Sequence, residues 1–179
     1  MKVWAFDSGD DVGVPDGACN DLLLLIGDSG RRRVVSIGHA APDTPPPPAN
    51  MVVADMAIAT RSAWRHDAKL PLYARWVAGV YVPARVAEAC EISHAMLPEI
   101  SRQPGFVAVY MAVDPPTGQT FSISIWDSRG AADANVQSGW FRAQVARFAG
   151  IYDHPPTRED FTLVHISRDE NLELRPPGP

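Results

Sequence analysis

The sequence predicts an α+β domain with the order β-α-β-β-α-β, a ferredoxin-like arrangement of one antiparallel sheet and two helices. Three observations carry this prediction. Residues from Leu72 onward alternate with period two, two later segments repeat apolar residues at helical spacing, and the β-rich runs between the helices are joined by a short Pro/Gly loop.

Along the first strand, Leu72, Ala74, Trp76, Ala78, Val80 and Val82 alternate with Tyr73, Arg75, Val77, Gly79 and Tyr81. Pro83 suits a first helical turn, where its missing amide hydrogen has no partner anyway. Val86, Ala89, Cys90, Ser93, Leu97 and Ile100 then form a stripe at helical spacing. Pro98 loosens the last turns of that helix, and Pro104-Gly105 ends it. Phe106 to Val113 and Thr120 to Trp126 flank Asp114-Pro-Pro-Thr-Gly118 and should pair as an antiparallel hairpin. Asp127 or Ser128 is a suitable N-cap for a second helix from Ala131 to about Phe148, divided at Gly139. Phe161 to Ile166 is the closing strand. The proline-rich, charged segment from Arg168 to Pro179 reads as a flexible tail.

Residues 1 to 70 differ in composition: up to Pro83 every acidic residue is an aspartate, and Glu88 is the first glutamate. This segment reads as an N-terminal appendage to a domain at 71–167. Within it, Asp21 to Ile26 and Arg33 to Gly38 have the form of two strands around Gly27-Asp-Ser-Gly30. Pro42 and Pro45 to Pro48 favour an extended, semi-rigid linker. If residues 1 to 70 are upstream sequence read from an early start codon, Met51 and Met56 are the alternative starts.

Composition excludes several classes of function. The chain has 179 residues, 16 basic and 21 acidic, for a net charge of -5. That is the wrong sign for a nucleic-acid or anionic-lipid binder. No apolar run approaches the ~20 residues needed to cross a bilayer. Two cysteines, Cys19 and Cys90, offer neither a disulfide framework nor a thiolate metal site. A cytoplasmic protein with reduced thiols is expected. His39, His66 and His154 show no metal-ligand spacing and are expected to face solvent.

A four-stranded sheet with both helices on one face leaves its other face bare, and the usual cover is a second copy. A homodimer through the open sheet face is therefore expected. At the centre of the sheet, Phe121, Ile123 and Ile125 alternate with Ser122, Ser124 and Trp126. The aliphatic set is expected to face the helices, and the Ser, Ser, Trp set a cavity for a small aromatic or apolar ligand. An indole can stack on such a ligand while its N–H donates one hydrogen bond. His165 lies opposite Val164 and Ile166 and could accept a substrate proton there. Arg75, Tyr73 and Tyr110 could stabilise the resulting anion. Plainer readings stand beside these: Arg75 in an edge salt bridge, the tyrosines as packing, Trp126 at a strand end, and His165 as a satisfied strand histidine.

Leu97-Pro98, Gln103-Pro104-Gly105-Phe106 and Ser124-Ile-Trp-Asp-Ser128 with Ala131 and Ala132 keep an order and spacing that resembles the antibiotic biosynthesis monooxygenase-like family. The likeness covers about Leu72 to Ile166. It implies a dimeric α/β barrel with a pocket between sheet and helices. Relatives include cofactor-independent oxygenases of polycyclic aromatics and heme-degrading oxygenases. The resemblance implies a monooxygenase acting without a bound cofactor on an aromatic or polyketide-type molecule, and Trp126 stands where such oxygenases place a pocket tryptophan; together with the alternation this gives His165 and Trp126 as catalytic candidates and Tyr73, Arg75, Tyr110, Ser122 and Ser124 as substrate-binding candidates. The alternative is a non-catalytic dimeric module that binds a small ligand or assembles. Heme chemistry is disfavoured. The heme-degrading relatives use a histidine on the second helix, which has none here, and an asparagine on the first strand, also missing. His94 sits instead on the first helix.

Overall fold

A computed structural model describes residues 2–8, 20–38, 51–54 and 57–167. The proline tract from Pro45 to Pro48, Met56 and the tail from Arg168 lie outside the described residues. The strands are β1 (Lys2–Ser8), β2 (Asn20–Gly27), β3 (Arg32–Gly38), β4 (Met51–Ala54), β5 (Ala57–Arg61), β6 (Leu72–Val80), β7 (Phe106–Val113), β8 (Gln119–Trp126) and β9 (Thr157–Ser167). The helices are α1 (Val86–Ile100), α2 (Arg129–Gln137) and α3 (Trp140–Arg147), and a 3-10 turn at Pro83–Arg85 leads into α1.

From β6 to β9 the order is β-α-β-β-α-β, with the second helix broken into α2 and α3. The α+β class and ferredoxin-like order expected from periodicity are present. Gly139, at φ +81°, makes the break. Ser128 caps α2, its hydroxyl accepting the Ala131 N–H at 3.2 Å. The turn between β7 and β8 requires Gly118. Its φ is +73°, and a Cβ there would sit 2.0 Å from the Tyr81 carbonyl oxygen. That closeness joins the turn to the end of β6, where the Tyr81 N–H donates to the Gly118 carbonyl at 2.8 Å.

All the strands belong to one antiparallel sheet in the order β4-β1-β3-β2-β9-β6-β8-β7-β5. β2 and β3 form the hairpin around Gly27–Gly30, and β2 continues the sheet beyond β9. The sheet curls until β1 approaches β5 at the opposite side. One core fills the inside of this curl. Leu72, Ala74, Trp76, Ile123, Ile125, Phe161 and Leu163 pack there against Leu23, Leu25 and Val35 from the N-terminal hairpin and against Trp64. Trp76 and Phe121 stack with centroids 4.5 Å apart and planes 7° apart.

One expectation is corrected by this packing. Ile123 and Ile125 face the N-terminal strands, and the Ser122, Ser124, Trp126 set faces the helices. Both sides of β8 are covered, and the more aliphatic side meets the leucine-rich β2. The sheet face expected to be bare is covered by the chain's own residues: Leu23, Leu25, Ile123, Ile125 and Leu163 are each 0% exposed within a single chain.

Candidate functional site

On the helix side of the sheet, strands β6 to β9 and the three helices enclose a cavity of about 260 Å³. Period two explains how the strand residues come together. Arg75 on β6 pairs with Ser124 on β8, which pairs with Val109 on β7, and all three point to the helix side. Ser122, Trp126 and Met111 extend this wall. Met96 and Ile100 come from α1, Asn135 from α2, and Phe141 and Gln144 from α3. Tyr152 and Arg158 also line it. The lining is largely aromatic and aliphatic, with few polar groups, the usual composition of a small-molecule site.

Arg75 is the outstanding polar group. It is 1% exposed, and neither Nε nor Nη2 has a hydrogen-bond partner. Its guanidinium lies 5.5 Å from the centre of the Phe141 ring. Asp133 Oδ1 stands 3.7 Å from Nη2, beyond hydrogen-bonding distance, and is itself half-exposed. Burial, and next the like charge of Arg158, push the guanidinium below the ordinary arginine value. An arginine starts so high that it remains a cation. A buried cation with unused donors is costly, and an anion in the cavity would relieve that cost.

Arg158 also lines the cavity, but its charge is already met. Its Nε and Nη2 donate to the two Asp160 oxygens at 3.0 and 3.1 Å. Tyr73 lies beside this pair rather than in the cavity wall, with its hydroxyl 3.4 Å from Arg158 Nη2. Burial raises the Tyr73 phenol, and the Asp160 carboxylate adds to that shift, so it stays protonated near neutrality. Burial likewise pushes up the phenols of Tyr81 and Tyr152.

Trp126 lines the cavity at 1% exposure and meets Phe106 edge-on with centroids 5.5 Å apart. Its N–H does not wait for a ligand as expected, since it donates to Ser124 Oγ at 3.1 Å. Tyr110 is on the other face, where its hydroxyl accepts the Trp64 N–H at 2.6 Å. His165 is exposed and away from the cavity. It lies past Leu163, the last β9 residue paired with β6, on a stretch of β9 that pairs with β2, beyond a bulge at Val164. His94 is exposed on α1 and does not line the cavity. His66 and His154 are exposed, as expected, while His39 lies outside the described residues. Among the described residues no cluster of His, Cys, Asp and Glu could hold a metal ion, and no helix is long and apolar enough to cross a membrane.

Asn135 escapes a sequence reading that looks for titratable groups, although it sits one helical turn after buried Ala132 on the same stripe. Its Nδ2 donates to Gln103 Oε1 at 3.1 Å, while its Oδ1 is buried without a partner. Arg158 is missed because β9 begins at Thr157, directly after Pro155 and Pro156, which read as loop.

No family model matches the chain, and no curated protein matches it. Solved structures do. A ferredoxin-fold protein related to antibiotic biosynthesis monooxygenases, from Listeria monocytogenes, aligns over 92% of this chain and 94% of its own, with TM-score 0.63 and 8% identity. The chain has the fold of the antibiotic biosynthesis monooxygenase-like proteins. A monooxygenase-like protein from Listeria innocua aligns over 93% of this chain and 95% of its own, with TM-score 0.62 and 10% identity. A heme-degrading enzyme from Listeria monocytogenes aligns over 90% and 99%, with TM-score 0.61 and 11% identity. At these identities the shared property is the monooxygenase-like fold, and the coverage takes in the N-terminal strands.

Proposed function

We propose that the helix-side cavity binds a small aromatic anion, and that the protein is an oxygenase of the monooxygenase-like type acting on a phenol or enol that ionises there. The observation that carries this reading is Arg75, a cation 1% exposed with unpartnered donors on the wall of an aromatic cavity. An ionised phenol or enol is electron-rich enough to give electrons to O2. An activated CH2 then becomes C=O, one oxygen atom entering the product and the other leaving as water, with all electrons supplied by the substrate.

Among the described residues no histidine, aspartate or glutamate lines the cavity. Arg75 would therefore act by stabilising the anion, drawing the ligand's pKa down so that its proton passes to water, rather than through a paired general base. His165, exposed on β9, has no part in this scheme. Size is compatible with a compact ring system, since a dry cavity of about 150 Å³ already admits benzene.

The same lack of a base favours a second reading, a binding module without turnover. Oxygen uptake with a series of naphthols and anthrone-type phenols separates the two. Uptake lost in Arg75→Met supports the oxygenase. Arg75-dependent binding without uptake supports the module, and no binding of any phenol or aromatic acid refutes both.

A further inference from the structure

The cavity holds a second unused polar group, of opposite hydrogen-bonding sense. Asn135 is 5% exposed and lines the cavity from α2, and its Oδ1 accepts nothing. Its orientation is dictated by a short relay. The Glu99 carbonyl can only accept, so Gln103 presents its NH2 group to it at 3.4 Å and turns Oε1 toward α2. Oε1 can only accept in its turn, so Asn135 must offer its own NH2, at 3.1 Å. The Asn135 carbonyl is thereby left desolvated and without a donor, on a residue that lines the cavity. Buried carbonyls are rarely left without a donor, and doing so costs about 1–3 kcal/mol.

The two groups are complementary. Arg75 offers donors and positive charge, and Asn135 offers an acceptor. A ligand ionised at both ends would place an anion against the Asn135 oxygen, and a ligand with no second polar group would leave that oxygen unpaired. We propose that the cavity selects aromatic monoanions that retain one un-ionised hydroxyl, the anionic oxygen accepting from Arg75 Nε and Nη2 and the hydroxyl donating to Asn135 Oδ1. Asn135 is thus the specificity-determining residue, and Gln103 positions it. This inference rests on the anion-binding reading above.

The test is calorimetric binding of the 3-, 6- and 7-hydroxy isomers of 2-naphthoate, their methyl ethers and unsubstituted 2-naphthoate. Several isomers are used so that the spacing of the two groups does not decide the result. At least one hydroxy isomer should bind about tenfold or more tightly than both its methyl ether and 2-naphthoate, the ratio set by leaving the acceptor unpaired. Asn135→Leu should erase that ratio, and Arg75→Met should weaken every naphthoate. Equal binding of each hydroxy isomer and its methyl ether overturns the inference while Arg75-dependent naphthoate binding keeps the anion-binding reading. No binding of any naphthoate overturns both. The ether comparison uses the unmodified protein and decides the matter even if Asn135→Leu fails to fold.

Discussion

The Trp64 indole N–H donates to the Tyr110 hydroxyl at 2.6 Å inside the curl of the sheet, so the segment leading into β6 is fastened to β7 from the face opposite the cavity. Tyr110 is thereby a structural residue. Tyr110→Phe should lower the unfolding free energy by about 1 kcal/mol, the net value of one buried hydrogen bond, and leave naphthoate affinity unchanged. Denaturant unfolding and calorimetry check the two halves. A change in affinity would place Tyr110 back in the site.

Arg75→Met should behave in the opposite way. It removes a buried charge whose donors Nε and Nη2 are unsatisfied and replaces it with a side chain suited to the aromatic lining. The melting temperature should stay level or rise, while affinity for aromatic anions falls about ten- to hundredfold, as for loss of a charged hydrogen bond. Stability lost together with binding would mean that Arg75 holds the fold rather than a ligand.

His165→Ala should change neither stability, within about 0.5 kcal/mol, nor binding nor oxygen uptake, because the side chain is exposed on β9 and away from the cavity. Loss of uptake in this variant would restore the general base that the sequence suggests.

Asp160 gives a pH dependence. Burial pushes its carboxyl up, but hydrogen bonds from Arg158 and Tyr73 and the charges of Arg158 and Arg75 together hold it below its ordinary value. A group with a depressed folded pKa stabilises the native state above the unfolded value of about 3.9, and that stabilisation disappears as pH falls through the lower folded value. Asp160→Asn should therefore melt below the unmodified protein at pH 7, with the gap closing as pH falls below about 4. Thermal melts from pH 3 to pH 7 measure it. A gap that stays constant would show that Asp160 contributes by packing alone.

The strands and helices from Leu72 to Ile166 were legible because each buries at least one face, and burial writes a period into the sequence. What that period does not say is which cover each face meets. On β8 both sides are buried, so the contrast between Ile123 or Ile125 and Ser122 or Ser124 separates one cover from another and not inside from outside. The N-terminal hairpin was visible, but its destination depended on pairing between residues far apart in the chain, Leu25 with Leu163. Trp126 and Arg75 were found by their chemistry on a strand of known phase. His165 misses the cavity because it lies past Leu163, where β9 leaves β6 and pairs with β2, and the length of that pairing leaves no mark in periodicity. Asn135 and Arg158 were missed because their roles depend on partners, Gln103 and Asp160, that only the fold brings near.

The N-terminal hairpin over the inner face of the sheet bears on how the molecule melts. A protein whose hydrophobic interior is split between two identical chains grows less stable on dilution, because unfolding then releases two particles from one. Here Leu23 and Leu25 reach Ile123 and Leu163 along a single polypeptide. Its thermal midpoint should accordingly stay put across a hundredfold range of protein concentration, each molecule carrying a finished chamber of its own.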